Sequence, residues 1–229
     1  MRCGGKSVLN RHSSTASHRS SIAVSKSAQS TFTICLMHQS RGFTLLEVMV
    51  VLAIVAILTT LAAPSFVALI QSNAVSGNVN SFIADVRYAR SEAIRRGGAV
   101  LMCRSDAPEA IAPVCNTTAG TNGWASGWII FEDRDGTLNY SATTDASQLL
   151  KVQGPITNLD SIMESGGSAS KLQFTATGRM KNLTSATSLQ FGSNTTMPNS
   201  RQRVVCINAS GRARIAGDGT ASCTTATDR

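Results

Sequence analysis

The chain has 229 residues, six cysteines, three histidines and a formal net charge of +8. That charge is lopsided: residues 1–42 hold six Lys or Arg and no acid, leaving 15 basic against 13 acidic residues from Phe43 onward. All three histidines (His12, His18, His38) lie in the same first stretch, so the remainder lacks a Ser–His or Cys–His nucleophile pair and any His-ligated metal. With no phosphate loop and no Cys-x-x-Cys spacing, the expected reading is not an enzyme, with no cofactor and no metal.

Residues 1–36 are Ser-rich, basic and free of acid, and are left out of fold reasoning. Met37 is the expected true start of translation. The central feature follows: Arg41-Gly42-Phe43-Thr44-Leu45-Leu46-Glu47, then eleven uninterrupted apolar residues, Val48 to Leu58. A span of ~20 mostly apolar residues crosses a bilayer as a helix. Basic residues precede it and none lies inside it, so its N-terminal side is expected to face the cytoplasm. Glu47 breaks the pattern. A carboxylate inside an apolar segment is costly and needs a partner.

Gly42 followed by Phe43-Thr44-Leu45-Leu46-Glu47 resembles the prepilin signal of type IV pilins and type II secretion pseudopilins. The resemblance implies cleavage between Gly42 and Phe43 by a prepilin peptidase and N-methylation of Phe43. It implies that Glu47 pairs with a neighbouring subunit's N-terminal amine during filament assembly. Met37 to Gly42 is similar to the short leaders of that family, and Pro64 falls where the family has a helix-bending proline. The expected fold is α+β and type IV pilin-like. A long N-terminal helix, transmembrane in its first half, packs on an antiparallel β-sheet domain.

Phe43 to about Arg96 reads as one helix on the order of 80 Å long. Residues 43–70 form its membrane and filament-core half, and 71–98 its amphipathic half. Val75, Val79, Phe82, Ile83, Val86 and Ile94 recur at spacings of three and four and are expected to face the globular domain. Asn78, Asp85, Arg87, Glu92 and Arg95 are expected on other faces. Gly97-Gly98 gives the stop.

Residues 99–229 read as a β-rich periplasmic domain. Expected strands are Ala99–Cys103, Trp124–Phe131, Leu149–Val152, Lys171–Thr177, Ser188–Phe191, Arg203–Asn208 and Arg212–Ala216, forming an antiparallel sheet. Glu132-Asp133-Arg134-Asp135-Gly136 reads as a plain tight turn. A calcium loop of the EF-hand kind needs a bidentate Glu that does not follow here. Four cysteines remain after Phe43, which read as two disulfides in an oxidising compartment. Three pairings are open. Cys103–Cys115 with Cys206–Cys223 is favoured because each pair brackets a short segment.

Charge is segregated. Residues 132–164 carry six acids and two bases, whereas 165–217 carry seven bases and no acid. The basic set is Lys171, Arg179, Lys181, Arg201, Arg203, Arg212 and Arg214. Within it, Gly178-Arg179-Met180-Lys181 echoes Gly211-Arg212-Ala213-Arg214. On a strand Arg212 and Arg214 project to one face, and Ala213 and Ile215 to the buried one. Such paired guanidinium groups can grip phosphates. The alternative is a solvated hairpin, or one docked on an acidic neighbour.

The strand after Ala99, the Gly-Trp-Ile-Ile-Phe segment and the Gly-Arg hairpins resemble the GspH/FimT group of minor pilins and pseudopilins. Gly211-Arg212-Ala213-Arg214 is similar to the Gly-Arg-any-Arg motif of its DNA-binding members. The resemblance implies DNA contact at Gly211, Arg212 and Arg214; Arg201, Arg203, Arg179 and Lys181 are candidates from charge alone. Base-specific reading is not expected, because DNA uptake needs backbone contacts and no recognition helix is apparent; residues 192–229 hold no aromatic stacking platform, which argues against a preference for single strands. The implied partners are other pilins, the prepilin peptidase, the inner membrane and DNA. The role is either a type IV minor pilin binding DNA in natural transformation or a structural type II secretion pseudopilin.

Overall fold

A computed structural model describes residues 42–223, apart from 119, 144, 166–169, 182, 184, 185 and 194. The leader, with the expected start at Met37, lies outside the described residues. The chain divides into two units, Met1–Leu45 and Leu46–Arg229, and the second holds the long helix beyond its first residue and the whole β domain.

Helix α1 runs without interruption from Leu45 to Arg96, 52 residues or about 80 Å. Its segment Leu45–Ala62 has a mean hydropathy of 2.6 and is long and apolar enough to cross a membrane. None of that segment is covered by the rest of the chain. The second half buries one stripe: Val75, Val79, Phe82, Ile83, Val86, Ala89 and Ala93. The first five match expectation. Ile94 does not, being 52% exposed. The 3.6-residue period carries the stripe from Val86 onto two alanines, whose small side chains let the β domain come close. Gly97 takes φ +80°, and the Gly98 N–H donates to the Ala93 carbonyl at 2.7 Å, so the helix ends in a Schellman-type cap.

Eight strands follow: β1 Val100–Arg104, β2 Trp128–Asp133, β3 Ser147–Gln153, β4 Ile162–Ser165, β5 Lys171–Phe174, β6 Thr187–Phe191, β7 Arg203–Ile207 and β8 Ala213–Gly217. They form two four-stranded antiparallel sheets, β3-β2-β1-β5 and β4-β6-β7-β8, where one antiparallel sheet was expected. β4 was not expected at all. Ile162-Met163-Glu164-Ser165 has two apolar residues and no turn signal of its own.

The expected strand from Trp124 also needs correction. Trp124–Ser126 is a single 3₁₀ turn, and β2 starts only at Trp128. Gly123 (φ +57°) and Gly127 (φ +115°) bracket that turn in conformations a strand does not use. The turn swings Trp124 inward beside Trp128. Phe82 of α1 sits edge-on to both indoles, at ring-centroid distances of 5.5 and 5.3 Å, and to Phe191 of β6 at 5.6 Å. Phe82 is therefore where α1, the first sheet and the second sheet meet.

Two buried ionic contacts hold this core in register. Asp85 was expected on an outer face of α1, yet it is only 2% exposed. Its Oδ2 accepts the Trp128 indole N–H at 2.9 Å, and its Oδ1 accepts the Lys151 ammonium. Arg104, fully buried on β1, donates to Glu164 of β4 at 2.6 Å and so ties one sheet to the other.

Disulfides join Cys103 to Cys115 and Cys206 to Cys223. The first anchors the loop after β1. The second pins the segment after β8 to β7.

Candidate nucleic-acid interface

The two Gly-Arg segments are one turn used twice. After β5, the Thr175 N–H donates to the Arg179 carbonyl at 2.8 Å and the Gly178 N–H to the Thr175 carbonyl at 2.8 Å. After β7, the Asn208 N–H donates to the Arg212 carbonyl at 3.2 Å and the Gly211 N–H to the Asn208 carbonyl at 2.9 Å. The glycines share a left-handed backbone, φ +72° and +74°. This is the three-residue hairpin connection with glycine at its bulge position. The side-chain support is repeated as well. The Arg179 N–H reaches Thr175 Oγ1 at 3.2 Å, and the Arg212 N–H reaches Asn208 Oδ1 at 3.1 Å. The echo in the chain is thus longer than Gly-Arg-x-basic: Thr175-Ala176-Thr177-Gly178-Arg179 parallels Asn208-Ala209-Ser210-Gly211-Arg212.

The fold stacks these two turns. The Met180 N–H donates to the Ala209 carbonyl at 3.0 Å, linking a hairpin of the first sheet to a hairpin of the second. A Cβ on Gly211 would lie 2.2 Å from the Gly178 carbonyl oxygen. A Cβ on Gly178 would lie 2.8 Å from Arg90 Nε and 2.9 Å from Ile94 Cδ1. Helix α1, the Gly178 turn and the Gly211 turn are therefore layered in contact; the obstacle at Gly211 is backbone and that at Gly178 is two side-chain ends, and the left-handed backbone favours glycine at both. Ile94, out of place as a core residue, covers Gly178.

Arg179, Lys181, Arg212 and Arg214 are all exposed. Arg212 and Arg214 alternate with Ala213, which is partly buried against the main core. Ile215 departs from expectation at 47% exposed. β8 is the edge of its sheet, and a shift of register opposite Val204/Val205 lets its end leave the core. Arg214 stands opposite Cys206, so the disulfide to Cys223 braces the strand that carries it.

Arg201 and Arg203 are not brought into this group. Arg201 donates to Gln71 of α1 at 2.8 Å, and Arg203 donates to the Ser200 and Gln202 carbonyls at 2.9 and 2.7 Å. Arg203 opens β7 while Ile207 closes it, so roughly 13 Å of strand separates the two ends. Arg90 is the basic residue that sequence reasoning passed over. Its spacing on α1 gives no hint that it touches Gly178.

Glu132 and Glu92, near the end of α1, are neutralised within the fold. Glu132 accepts Arg96 at 2.5 Å and Arg134 at 3.0 Å, and Glu92 accepts Arg96 at 2.8 Å and Arg95 at 2.5 Å. Hydrogen bonds from Arg95 and Arg96 pull the Glu92 carboxyl down to about 2. Arg134 and Arg96 likewise hold Glu132 below its usual range, against the opposing effect of its burial. Among the described residues, no group of three or more His, Cys, Asp or Glu side chains converges as a metal centre.

At the other end of the chain, Gly42 and Phe43 precede α1, and Glu47 lies in its first turn, exposed among exposed Leu45, Leu46 and Val48.

The sequence model of the family described as type II transport protein GspH matches residues 78–211. The chain belongs to the GspH family. A second model, the prokaryotic N-terminal methylation motif, matches residues 37–63. Two crystal structures of the type IV minor pilin FimU of Pseudomonas aeruginosa PAO1 share 18% identity with this GspH-family chain. The first covers 66% of this chain and 95% of its own, at a TM-score of 0.46. The second covers 65% and 98%, at 0.43. No protein of curated function matches the sequence. This GspH-family chain is a minor pilin- or pseudopilin-like protein with the pilin arrangement of an apolar N-terminal helix and an antiparallel β domain. Such proteins assemble with other pilins into a filament.

Proposed function

We propose that the chain is a minor subunit of a type IV pilus that binds DNA non-specifically for uptake in natural transformation. The observation that carries this reading is the stacking of the two Gly-Arg turns. It gathers four exposed basic side chains from distant parts of the sequence onto one corner. Such a cluster suits phosphates and offers no means of reading bases. In the same reading, a prepilin peptidase cuts between Gly42 and Phe43, and Phe43 is N-methylated. The helix from Phe43 to Ile70 is held in the inner membrane with the β domain on the periplasmic side. Glu47 docks against the N-terminal amine of a neighbouring subunit. A Glu47→Val variant that enters filaments normally would remove that role.

DNA binding by the full chain in mild detergent, measured by fluorescence anisotropy across a salt series, tests the main claim. The log–log slope is expected to be about −0.9 per phosphate contacted. Arg212→Gln with Arg214→Gln should flatten the slope by roughly 1.8 units, whereas Arg201→Gln with Arg203→Gln should leave it unchanged. Unchanged affinity and slope in the Arg212/Arg214 variant would overturn the assignment.

The match to the type II transport family favours a second reading, a pseudopilin with a structural role in secretion. Absence of DNA binding even at low salt selects it.

A further inference from the structure

The two arginines that stand apart from the stacked turns lie at the foot of the β domain. Arg201 Nη1 donates to Gln71 Oε1 at 2.8 Å. Gln71 directly follows Leu69 and Ile70, the last exposed large apolar residues in the N-terminal half of α1. From Leu45 to Ile70 the helix rises about 40 Å, which matches the ~40–45 Å thickness of a bilayer with its headgroups. With that half inserted, Gln71 stands at the level of the headgroups, and Arg201 with it.

Arg203 is fixed at the same level. The 3₁₀ turn Asn199–Arg201 leads straight into β7, and Arg203 Nη1 donates to the Ser200 and Gln202 carbonyls at 2.9 and 2.7 Å. Asn199 and Ser200 of that turn are exposed. The Gly178 turn, by contrast, rests on Arg90 and Ile94. About 20 residues of α1, or about 30 Å, separate that level from Gln71. Arg201 and Arg203 therefore serve one end of the domain and the stacked turns the other.

Among the described residues, neither Arg201 nor Arg203 forms an ion pair with a carboxylate. Asp218 is brought near them by the Gly219 N–H, which donates to the Asn199 carbonyl at 2.9 Å. Its Oδ1 is taken by the N–H and hydroxyl of Thr220, at 3.0 and 2.6 Å. Those Thr220 donors chiefly, with the charge of Arg203 adding to them, hold the Asp218 carboxyl below its usual range. The protein contacts of both arginines use Nη1 alone, and a guanidinium has further N–H donors on Nε and Nη2.

We propose that Arg201 and Arg203 grip the phosphates of anionic lipid headgroups and so seat the β domain on the membrane before filament assembly; this rests on the insertion of α1 proposed above. Planar guanidinium groups match phosphate through paired N–H donors. A pair of them just outside an apolar span should enrich anionic over neutral lipid beneath the domain by up to about 30-fold. The acid-free stretch then carries two separate devices, a membrane-proximal pair for lipid phosphate and a distal corner for DNA.

The full chain reconstituted into vesicles of phosphatidylcholine and phosphatidylglycerol tests this. Its two tryptophans, Trp124 and Trp128, both lie in the β domain. Their energy transfer to dilute tail-labelled lipid reads which lipid gathers beneath that domain. Transfer to labelled phosphatidylglycerol should exceed transfer to labelled phosphatidylcholine, and the excess should shrink in about 1 M salt, where charges act over only ~3 Å. Arg201→Gln with Arg203→Gln should abolish the excess, and Arg201→Lys with Arg203→Lys should keep most of it. Both variants should float with the vesicles and keep the tryptophan emission of the parent. Equal transfer to the two lipids in a parent chain that floats would overturn this proposal alone, as would an undiminished excess in the Gln pair. A parent chain that fails to float with the vesicles would overturn the insertion of α1 as well.

Discussion

Replacing Gly211 by alanine separates two reasons for a glycine at the base of the basic hairpin. Gly211 has φ +74°, and a Cβ there would meet the Gly178 carbonyl oxygen at 2.2 Å. Gly97 has φ +80°, and a Cβ there would meet nothing within 4 Å. Both substitutions force an L side chain into the left-handed region, at a cost of about 1–2 kcal/mol. Only Gly211→Ala adds a steric term. The blocking atom is backbone oxygen of a turn that itself rests on Arg90 and Ile94 of α1, so it cannot swing aside. Overpacking of this kind costs about 1–3 kcal/mol. Gly97→Ala should therefore cost about 1–2 kcal/mol and Gly211→Ala about 2–5 kcal/mol. Denaturant unfolding of the full chain in detergent, followed by tryptophan fluorescence, measures both. The same displacement should shift Arg212 and Arg214 away from Arg179 and Lys181, so DNA affinity should fall in Gly211→Ala and not in Gly97→Ala. Equal costs for the two variants would refute the stacked-turn account.

Asp85→Ala should cost about 2–4 kcal/mol, because it leaves the buried Trp128 indole N–H without its acceptor and removes a charged contact to Lys151. Lys151→Met should cost less than Asp85→Ala, about 1–2 kcal/mol, because the buried Asp85 carboxylate loses its ionic partner but keeps the Trp128 indole N–H. Comparable losses in the two, by the same unfolding assay, would mean that the carboxylate is not the anchor. Glu92, held at about 2 by Arg95 and Arg96, should contribute stability that is full above its ordinary value of 4.5 and is lost as pH falls toward about 2. Arg96→Gln should flatten that acid limb. An unchanged dependence of stability on pH in the variant counts against the ion-pair cluster as its source.

The helix and its apolar half were legible because their signal is long: an apolar run, an interior without basic residues and a glycine pair at the stop. Most strands were legible for a simpler reason. β1 and β2 are buried on both faces and read as unbroken apolar runs. What could not be read were contacts between distant segments. Asp85 looks like a solvent-facing helix residue, since its neighbours in sequence do not reveal Trp128 and Lys151. β4 is too short and too polar to declare itself, and it exists because β6 pairs with it and Arg104 reaches Glu164. Trp124 has strand composition, but the glycines on either side dictate a turn. At the basic corner the sequence supplied the two Gly-Arg echoes and the alternation of Arg212 with Arg214. It could not show that one echo lies on the other, nor that Arg201 and Arg203 lie apart from both.

A near-balance of charge from Phe43 onward conceals a strong asymmetry. Asp85, Glu92, Glu132 and Glu164 each pair with Lys151, Arg95, Arg96, Arg104 or Arg134, all of them basic residues from α1 and the first half of the β domain. Those ion pairs fix helix to sheet and sheet to sheet, and in doing so use up opposite charges that would otherwise screen each other across the surface. The basic residues of the stacked turns come from a stretch with no acid in sequence, and they are held outward by glycines and a disulfide. Packing therefore sorts charge by role: mixed pairs inside the scaffold, one sign on the exposed corner. A field of one sign over a few adjacent turns attracts a polyanion at a distance and weakens steeply with salt. On the DNA-binding proposal a filament subunit uses that property to hold DNA without choosing its sequence; on the structural reading it would serve to dock an acidic neighbour.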